Sequence, residues 1–177
     1  LQLHWLNLRH NDLEVIPEDF GLLSELKHLD LRENNLSTII PEMGGLNAMF
    51  NLDISYNCIS GRVPEEFGLA FMLLNIDFSH NEIEEMPHNI GALVQLESLD
   101  LSFNQLTTLP ETIENLTNVV KLNLSTNRLT SLPFSIGSMA CLEMLDLSSN
   151  RLSYVPEGVC ELESLTSLDL YNNQLRC

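Results

Sequence analysis

Leucine and other large apolar residues recur along the whole chain at intervals of three, two and five. In residues 96–106, for example, leucine occupies positions 96, 99, 101 and 106. Leu99 and Leu101 alternate with serine and aspartate, and this period of two indicates a short strand with one buried face. Because one short strand cannot bury its apolar face alone, we expect its copies to pack side by side in a parallel sheet.

An asparagine follows each predicted strand and marks a repeating unit. Successive asparagines are 23 residues apart, except for one interval of 24 between Asn57 and Asn81. A carboxamide offers two donor hydrogens and an acceptor oxygen, so it can satisfy backbone groups that a turn leaves unpaired. We therefore predict a structural ladder of hydrogen bonds inside the molecule. Its members are Asn11, Asn34, Asn57, Asn81, Asn104, Asn127, Asn150 and Asn173.

The asparagines divide the chain into seven complete units and a truncated eighth. The units start at residues 3, 26, 49, 73, 96, 119, 142 and 165. Their strands are predicted at 5–9, 28–32, 51–55, 75–79, 98–102, 121–125, 144–148 and 167–171. Leu109-Pro110 then blocks continuation of the strand, and Ile113 and Leu116 at three-residue spacing predict a short helical or 3₁₀ return segment.

Residues 1–177 are interpreted as one domain. Core leucines open and close the chain where a solenoid normally carries polar caps, so we expect a piece excised from a longer protein. An uncapped piece is also expected to associate end to end through its edge strands.

The unit LxxLxLxxNxLxxLPxxIxxL resembles a leucine-rich repeat of the 23-residue form and covers the whole chain. It is similar to the repeats of intracellular proteins of the Ras-suppressor and Scribble type. Residues 59–68, ISGRVPEEFG, resemble instead the plant-type signature LSGxIPxxLG and include the extra residue of the third unit. The resemblance implies an α/β repeat fold, a right-handed horseshoe-shaped solenoid. It would have a concave parallel sheet of about eight strands and an irregular, 3₁₀ or short helical convex side.

Composition excludes several classes of function. The formal net charge is −17, from 25 acidic and 8 basic side chains, and such a field repels a nucleic-acid backbone. No apolar run approaches the roughly 18 residues that a membrane-spanning helix needs. No HExxH, GxSxG, GxGxxG or GxxxxGK[ST] motif occurs, so we predict no enzyme activity, no cofactor and no membrane insertion.

Side chains that alternate with the core leucines should face the concave side. Aromatic, histidine and basic residues collect there in the first five repeats, whereas the last three carry mostly small polar residues. Exposed aromatic and arginine side chains on a rigid surface are typical of interface hot spots. The predicted partner-binding patch consists of Trp5, Arg9, His10, Lys27, His28, Arg32, Phe50, Tyr56, Leu74, His80 and Phe103.

Aspartates occupy one strand position in four consecutive repeats, at residues 30, 53, 77 and 100. Like charges one strand spacing apart repel and raise one another's pKa, which a cation or a basic partner would relieve. A hard cation needs six or more oxygens converging on one point. A flat column of carboxylates does not supply that arrangement, so no metal site is predicted.

The leading interpretation is a non-catalytic protein–protein interaction module, a scaffold or adaptor in intracellular signalling that binds a protein or peptide on its concave face. Four scattered cysteines without zinc spacing favour a reducing, cytoplasmic setting. Two alternatives stay open. One is a secreted or cell-surface receptor fragment that recognises a peptide or glycan, favoured by the sequons at Asn35, Asn115 and Asn123. The other is the targeting domain of a kinase, phosphatase or ubiquitin ligase whose catalytic part lies outside this chain.

Overall fold

The computed structural model describes residues 2–155 and 157–176, so Leu1, Pro156 and Cys177 of the predicted domain lie outside the described residues. The chain winds as a solenoid in which each repeat adds one strand to a single parallel sheet. Its eight strands are β1 Trp5–Asn7, β2 His28–Asp30, β3 Asn51–Asp53, β5 Asn75–Asp77, β7 Ser98–Asp100, β8 Lys121–Asn123, β9 Met144–Asp146 and β10 Ser167–Asp169. The predicted sheet of eight parallel strands is confirmed.

Each strand starts at the predicted residue but ends two residues early. The cause is visible in β7, where Asp100 Oδ1 accepts a hydrogen bond from the backbone N–H of Ser102 at 2.9 Å. Phe103 then adopts a left-handed φ of 54°. Aspartate and asparagine side chains commonly form such turns two residues ahead, and the turn replaces the extended geometry that the alternating pattern predicted. The same side-chain hydrogen bond recurs in all eight repeats.

The asparagine after each turn holds neighbouring repeats together. Asn104 Nδ2 lies within hydrogen-bond distance of the carbonyl oxygens of Phe78, Leu101 and Ser102, at 2.9, 3.2 and 3.2 Å. Its Oδ1 accepts a hydrogen bond from the N–H of Ile83 at 2.9 Å. Six of these side chains are buried, namely Asn34, Asn57, Asn81, Asn104, Asn127 and Asn150. Each one therefore ties its own turn to the repeat before it.

Seven 3₁₀ helices of five residues form the convex side of the described chain. They are Glu18–Leu22, Pro41–Gly45, Glu65–Leu69, His88–Ala92, Glu111–Asn115, Phe134–Ser138 and Glu157–Glu161. Five of them directly follow a proline with φ between −60° and −70°, which fixes the start of the helical turn. Neighbouring helices pack so closely that a Cβ added to Gly44 would lie 2.0 Å from the carbonyl oxygen of Glu66. No described helix is long and apolar enough to cross a membrane.

A second sheet, which the repeat pattern did not predict, joins the third and fourth repeats. It pairs β4 Ser60–Arg62 with β6 Glu82–Glu85 in parallel, with an irregularity between Gly61 and Arg62. Gly61 has φ 72°, and no atom lies within 4 Å of the place where a Cβ would be. The glycine is thus required by its backbone conformation and not by lack of space. The extra residue of the third repeat is accommodated here.

Candidate partner-binding surface

A groove of about 520 Å³, here called the concave groove, crosses β1, β2, β3, β5 and β7. The polar and aromatic side chains along it are Trp5, His28, Asp30, Asn51, Asp53, Asn75, Asp77, Ser98 and Asp100. A smaller depression of about 330 Å³ continues across β7 to β10 and includes Lys121 and Met144. The larger hollow therefore lies in the five repeats where the sequence placed the partner patch.

The floor of the concave groove carries a row of hydrogen-bonded side chains. Asn75 Nδ2 donates to Asn51 Oδ1 at 2.6 Å, and Asn51 Nδ2 lies 2.7 Å from His28 Nδ1. Because the amide nitrogen of Asn51 is the donor, His28 accepts at Nδ1 and carries its proton on Nε2. Trp5 packs at the end of this row with its ring centroid 6.3 Å from that of His28, and it is 69% exposed.

A column of side chains runs beside the groove, one residue before each ladder asparagine, and is called the rim here. All eight members have φ between 53° and 58°. They are His10, Glu33, Tyr56, His80, Phe103, Thr126, Ser149 and Asn172. Because every repeat repeats the same left-handed conformation one strand spacing further on, side chains of this column project in parallel. Planar residues placed there can therefore stack.

Three aromatic rings of the rim do stack. Tyr56 and His80 have ring centroids 4.0 Å apart with an angle of 14°, and His80 and Phe103 are 4.1 Å apart at 11°. The guanidinium carbon of Arg32 lies 4.8 Å from the centroid of the Tyr56 ring, within the range of a cation–π contact. Tyr56 and Phe103 remain 43% and 45% exposed. The result is a rigid, partly exposed aromatic surface over three repeats.

Glu33 organises the basic end of the rim. Arg9 Nη2 donates to Glu33 Oε1 at 2.9 Å, Arg32 Nε lies 3.3 Å from the same oxygen, and His10 Nδ1 lies 3.2 Å from Oε2. The hydrogen bond from Arg9 lowers the pKa of Glu33 and, reciprocally, Glu33 raises the pKa of Arg9. Both arginines that the sequence placed in the partner patch are therefore engaged within the chain.

The aspartate column forms part of the groove floor, and Asp77 lies near its centre. Burial is the largest cause that raises the pKa of Asp77, and hydrogen bonds from Ser79 oppose it. The charges of Asp53 and Asp100 raise the pKa of Asp77 by smaller amounts. At Asp77 the expected repulsion from neighbouring carboxylates is thus present, but desolvation dominates. In the part of the chain that the structure describes, no group of three or more His, Cys, Asp or Glu side chains could hold a metal ion.

The structure separates the predicted patch into parts. Trp5 and His28 line the concave groove, whereas Arg9, His10, Arg32, Tyr56, His80 and Phe103 lie on or beside the rim. Lys27, Phe50 and Leu74 precede their strands, are half-buried and do not line the groove. Glu33, Asn51 and Asn75 were missed. The repeat pattern of the sequence shows which column each of these residues belongs to. It does not show the hydrogen bonds that they make to neighbouring repeats.

Stacked 23-residue turns with one parallel sheet and a 3₁₀ convex side define a repeat solenoid with an open concave surface. The family model described as "Leucine-rich repeat region" matches residues 66–175. Two further leucine-rich repeat models match residues 2–59 and 50–69. The chain therefore belongs to the leucine-rich repeat family, which confirms the resemblance drawn from its repeats. A search of curated proteins finds no match.

Solved structures with the same fold come from bacteria and plants. A leucine-rich repeat protein of Leptospira interrogans superposes with a TM-score of 0.92 and 38% identity, over 99% of this chain and 44% of its own. The plant peptide hormone receptor RGFR1, in complex with RGF2, gives 0.87 and 31%, over 97% of this chain and 28% of its own. The Arabidopsis receptor kinase HAESA, in complex with the peptide hormone IDA and the co-receptor SERK1, gives 0.84 and 28%, over 97% and 30%. The chain thus spans less than half the length of these proteins.

Proposed function

We propose that this chain is a non-catalytic interaction module that binds a protein or peptide on its concave side, across the first five repeats. The contact surface is the concave groove together with the aromatic part of the rim. The module acts as a scaffold or adaptor, and its three described cysteines, Cys58, Cys141 and Cys160, are unpaired thiols, which favours a cytoplasmic setting.

The single observation that carries this proposal is the stack of Tyr56, His80 and Phe103 beside the groove. Its rings are held in place by each other and by their backbone conformation, so a partner that covers them loses little side-chain freedom. Buried aromatic anchors supply most of the binding energy of typical interfaces. The solved peptide complexes of the related plant receptors support a peptide or protein as the occupant.

The test uses peptides selected on the wild-type chain from a display library of random 12-residue sequences. Affinities are measured by fluorescence anisotropy. The double variant Tyr56→Ala/Phe103→Ala should bind the selected peptides with an affinity at least about tenfold lower than the wild type, because it removes two interfacial aromatic anchors.

The matched control is Phe71→Ala/Phe134→Ala, which removes two exposed phenylalanines away from the concave side. It should leave the affinity within about twofold. The proposal would be contradicted if the selected peptides bound Phe71→Ala/Phe134→Ala more weakly than the wild type but bound Tyr56→Ala/Phe103→Ala with unchanged affinity. That result would place the interaction surface on the convex side.

The receptor alternative is favoured by the similarity to plant peptide receptors. Asn35 and Asn115 are exposed, so their sequons are accessible, whereas Asn123 Nδ2 donates to Asp100 Oδ2 on the concave side. Mass spectrometry of protein from its native source separates the two settings. Glycans on Asn35 and Asn115 would favour the receptor, and unmodified asparagines with reduced cysteines would favour the cytoplasmic module.

A further inference from the structure

We propose that the occupant of the concave groove is an extended cationic peptide segment, with an arginine or lysine side chain on the carboxylates of Asp53 and Asp77. This inference rests on the proposed function and deepens it, because it specifies the chemistry of the partner. It follows from the groove's shape, its unused hydrogen-bonding atoms and its charge.

The groove floor presents carboxylate oxygens that the chain itself does not use. Asp53 and Asp77 each accept internal hydrogen bonds at Oδ1 only, from Ser55 and Ser79. No described residue donates to their Oδ2 atoms, and those atoms are not buried. In Asp100, by contrast, Oδ2 accepts from Asn123 at 3.0 Å. Asp30 likewise uses only Oδ1, so the free oxygens lie on β2, β3 and β5, and Asp53 and Asp77 are the pair nearest the middle of the groove.

Strand pairing sets the spacing of these oxygens. Asp53 pairs with Asp77 across β3 and β5, and adjacent strands lie about 4.8 Å apart. A guanidinium group has several N–H donors in one plane and suits a pair of neighbouring carboxylates, and an ammonium group can also bridge them. A cation in this position would also offset the repulsion that Asp53 and Asp100 exert on Asp77.

The chain provides no cation of its own at this point. None of the described residues that line the concave groove is lysine or arginine. The neighbouring Arg9 and Arg32 are paired with Glu33. A net charge of −17 also favours approach of a basic segment and opposes an acidic peptide or a nucleic acid.

The other polar and aromatic groups in and beside the groove match the remainder of an extended peptide. The row Asn75–Asn51–His28 ends in an unused acceptor at Asn75 Oδ1 and a donor at His28 Nε2, which are suitable partners for peptide backbone groups. Trp5 at one end and the rim stack along the side offer apolar faces for neighbouring side chains. A basic residue flanked by apolar residues is therefore the expected sequence of the occupant.

The experiment analyses the peptides selected from the random 12-residue library and measures their affinity for two variants. Asp53→Asn/Asp77→Asn removes two charges from the groove and preserves the Oδ1 acceptors. Asparagine already occupies this strand position at Asn7 and Asn123, so the variant should fold. The control Glu25→Gln/Glu163→Gln removes the same charge from exposed sites outside the groove.

Selected peptides should be enriched in arginine or lysine. Asp53→Asn/Asp77→Asn should lower their affinity by a factor at least about ten times larger than Glu25→Gln/Glu163→Gln does. Equal weakening by both variants would show non-specific attraction to an acidic protein and overturn this inference. Selected peptides without basic residues would also overturn it. If such peptides still lose affinity in Tyr56→Ala/Phe103→Ala, the proposed function stands, and if they do not, both proposals fail.

Discussion

Two adjacent columns of this solenoid follow opposite rules. In the ladder column every repeat carries asparagine, and the six central members are buried. In the rim column, one residue earlier, the eight repeats carry seven different residue types, and the backbone is left-handed throughout. Residues adjacent in the chain, such as Phe103 and Asn104, thus have different roles. The side chain of Asn104 is buried in the molecule, whereas Phe103 remains 45% exposed at the surface.

The difference shows where specificity can reside in such a fold. A ladder side chain has its donors and acceptor committed to backbone groups of two repeats, so few substitutes satisfy the same geometry. A rim side chain has only to tolerate a positive φ. Its chemistry is free to vary, and four consecutive repeats use that freedom to place Glu33, Tyr56, His80 and Phe103 in register.

The largest expected effect comes from the ladder. Asn104→Ala should lower the free energy of unfolding by about 2 kcal/mol, because the buried N–H of Ile83 loses its acceptor. The carbonyl of Phe78 loses one of its two donors and keeps the other, Asn81 Nδ2. Chemical denaturation measures this loss. The matched control is Asn11→Ala, an exposed member of the same column, which should cost below about 1 kcal/mol. Equal losses at both positions would contradict the importance of burial.

A smaller effect of opposite sign is expected at the rim. Thr126 is β-branched and has φ 53°, a conformation that costs a non-glycine residue about 1–2 kcal/mol. Asparagine tolerates this conformation better and already occupies the equivalent position at Asn172. Thr126→Asn should therefore raise the free energy of unfolding by about 1 kcal/mol. Thr130→Asn, at an exposed site without a positive φ, should give no such gain in the same denaturation assay.

The two columns also differ in how far the sequence predicts them. Ladder positions follow from period and residue type, because Asn104 and its copies recur at a constant interval. The left-handed rim does not follow, since phenylalanine, tyrosine and threonine carry no signal for a positive φ. The stack of Tyr56 on His80 and the pairing of Arg9 with Glu33 depend on contacts between repeats. The pattern of apolar and polar residues within one repeat does not predict those contacts. The same holds for the second sheet at Gly61.

The aspartate column lies between these extremes. Each member accepts a structural hydrogen bond at Oδ1, and in Asp30, Asp53 and Asp77 no described residue donates to Oδ2. Burial raises the pKa of Asp77 above its ordinary value of 3.8, so at neutral pH its charge lowers stability. Asp77→Asn should therefore be more stable than the wild type at pH 7. The gain should stay below about 1 kcal/mol, because solvent screens this partly exposed group.

This difference should shrink as the pH falls through the raised pKa of Asp77, and it should vanish well below pH 3.8, where the carboxyl is neutral in the folded and unfolded chain alike. Denaturation curves at a series of pH values measure it. Asp12→Asn removes one charge from an exposed site and serves as the control. An advantage of Asp77→Asn that is independent of pH would mean that packing, and not the desolvated charge, distinguishes this position from the rest of the column.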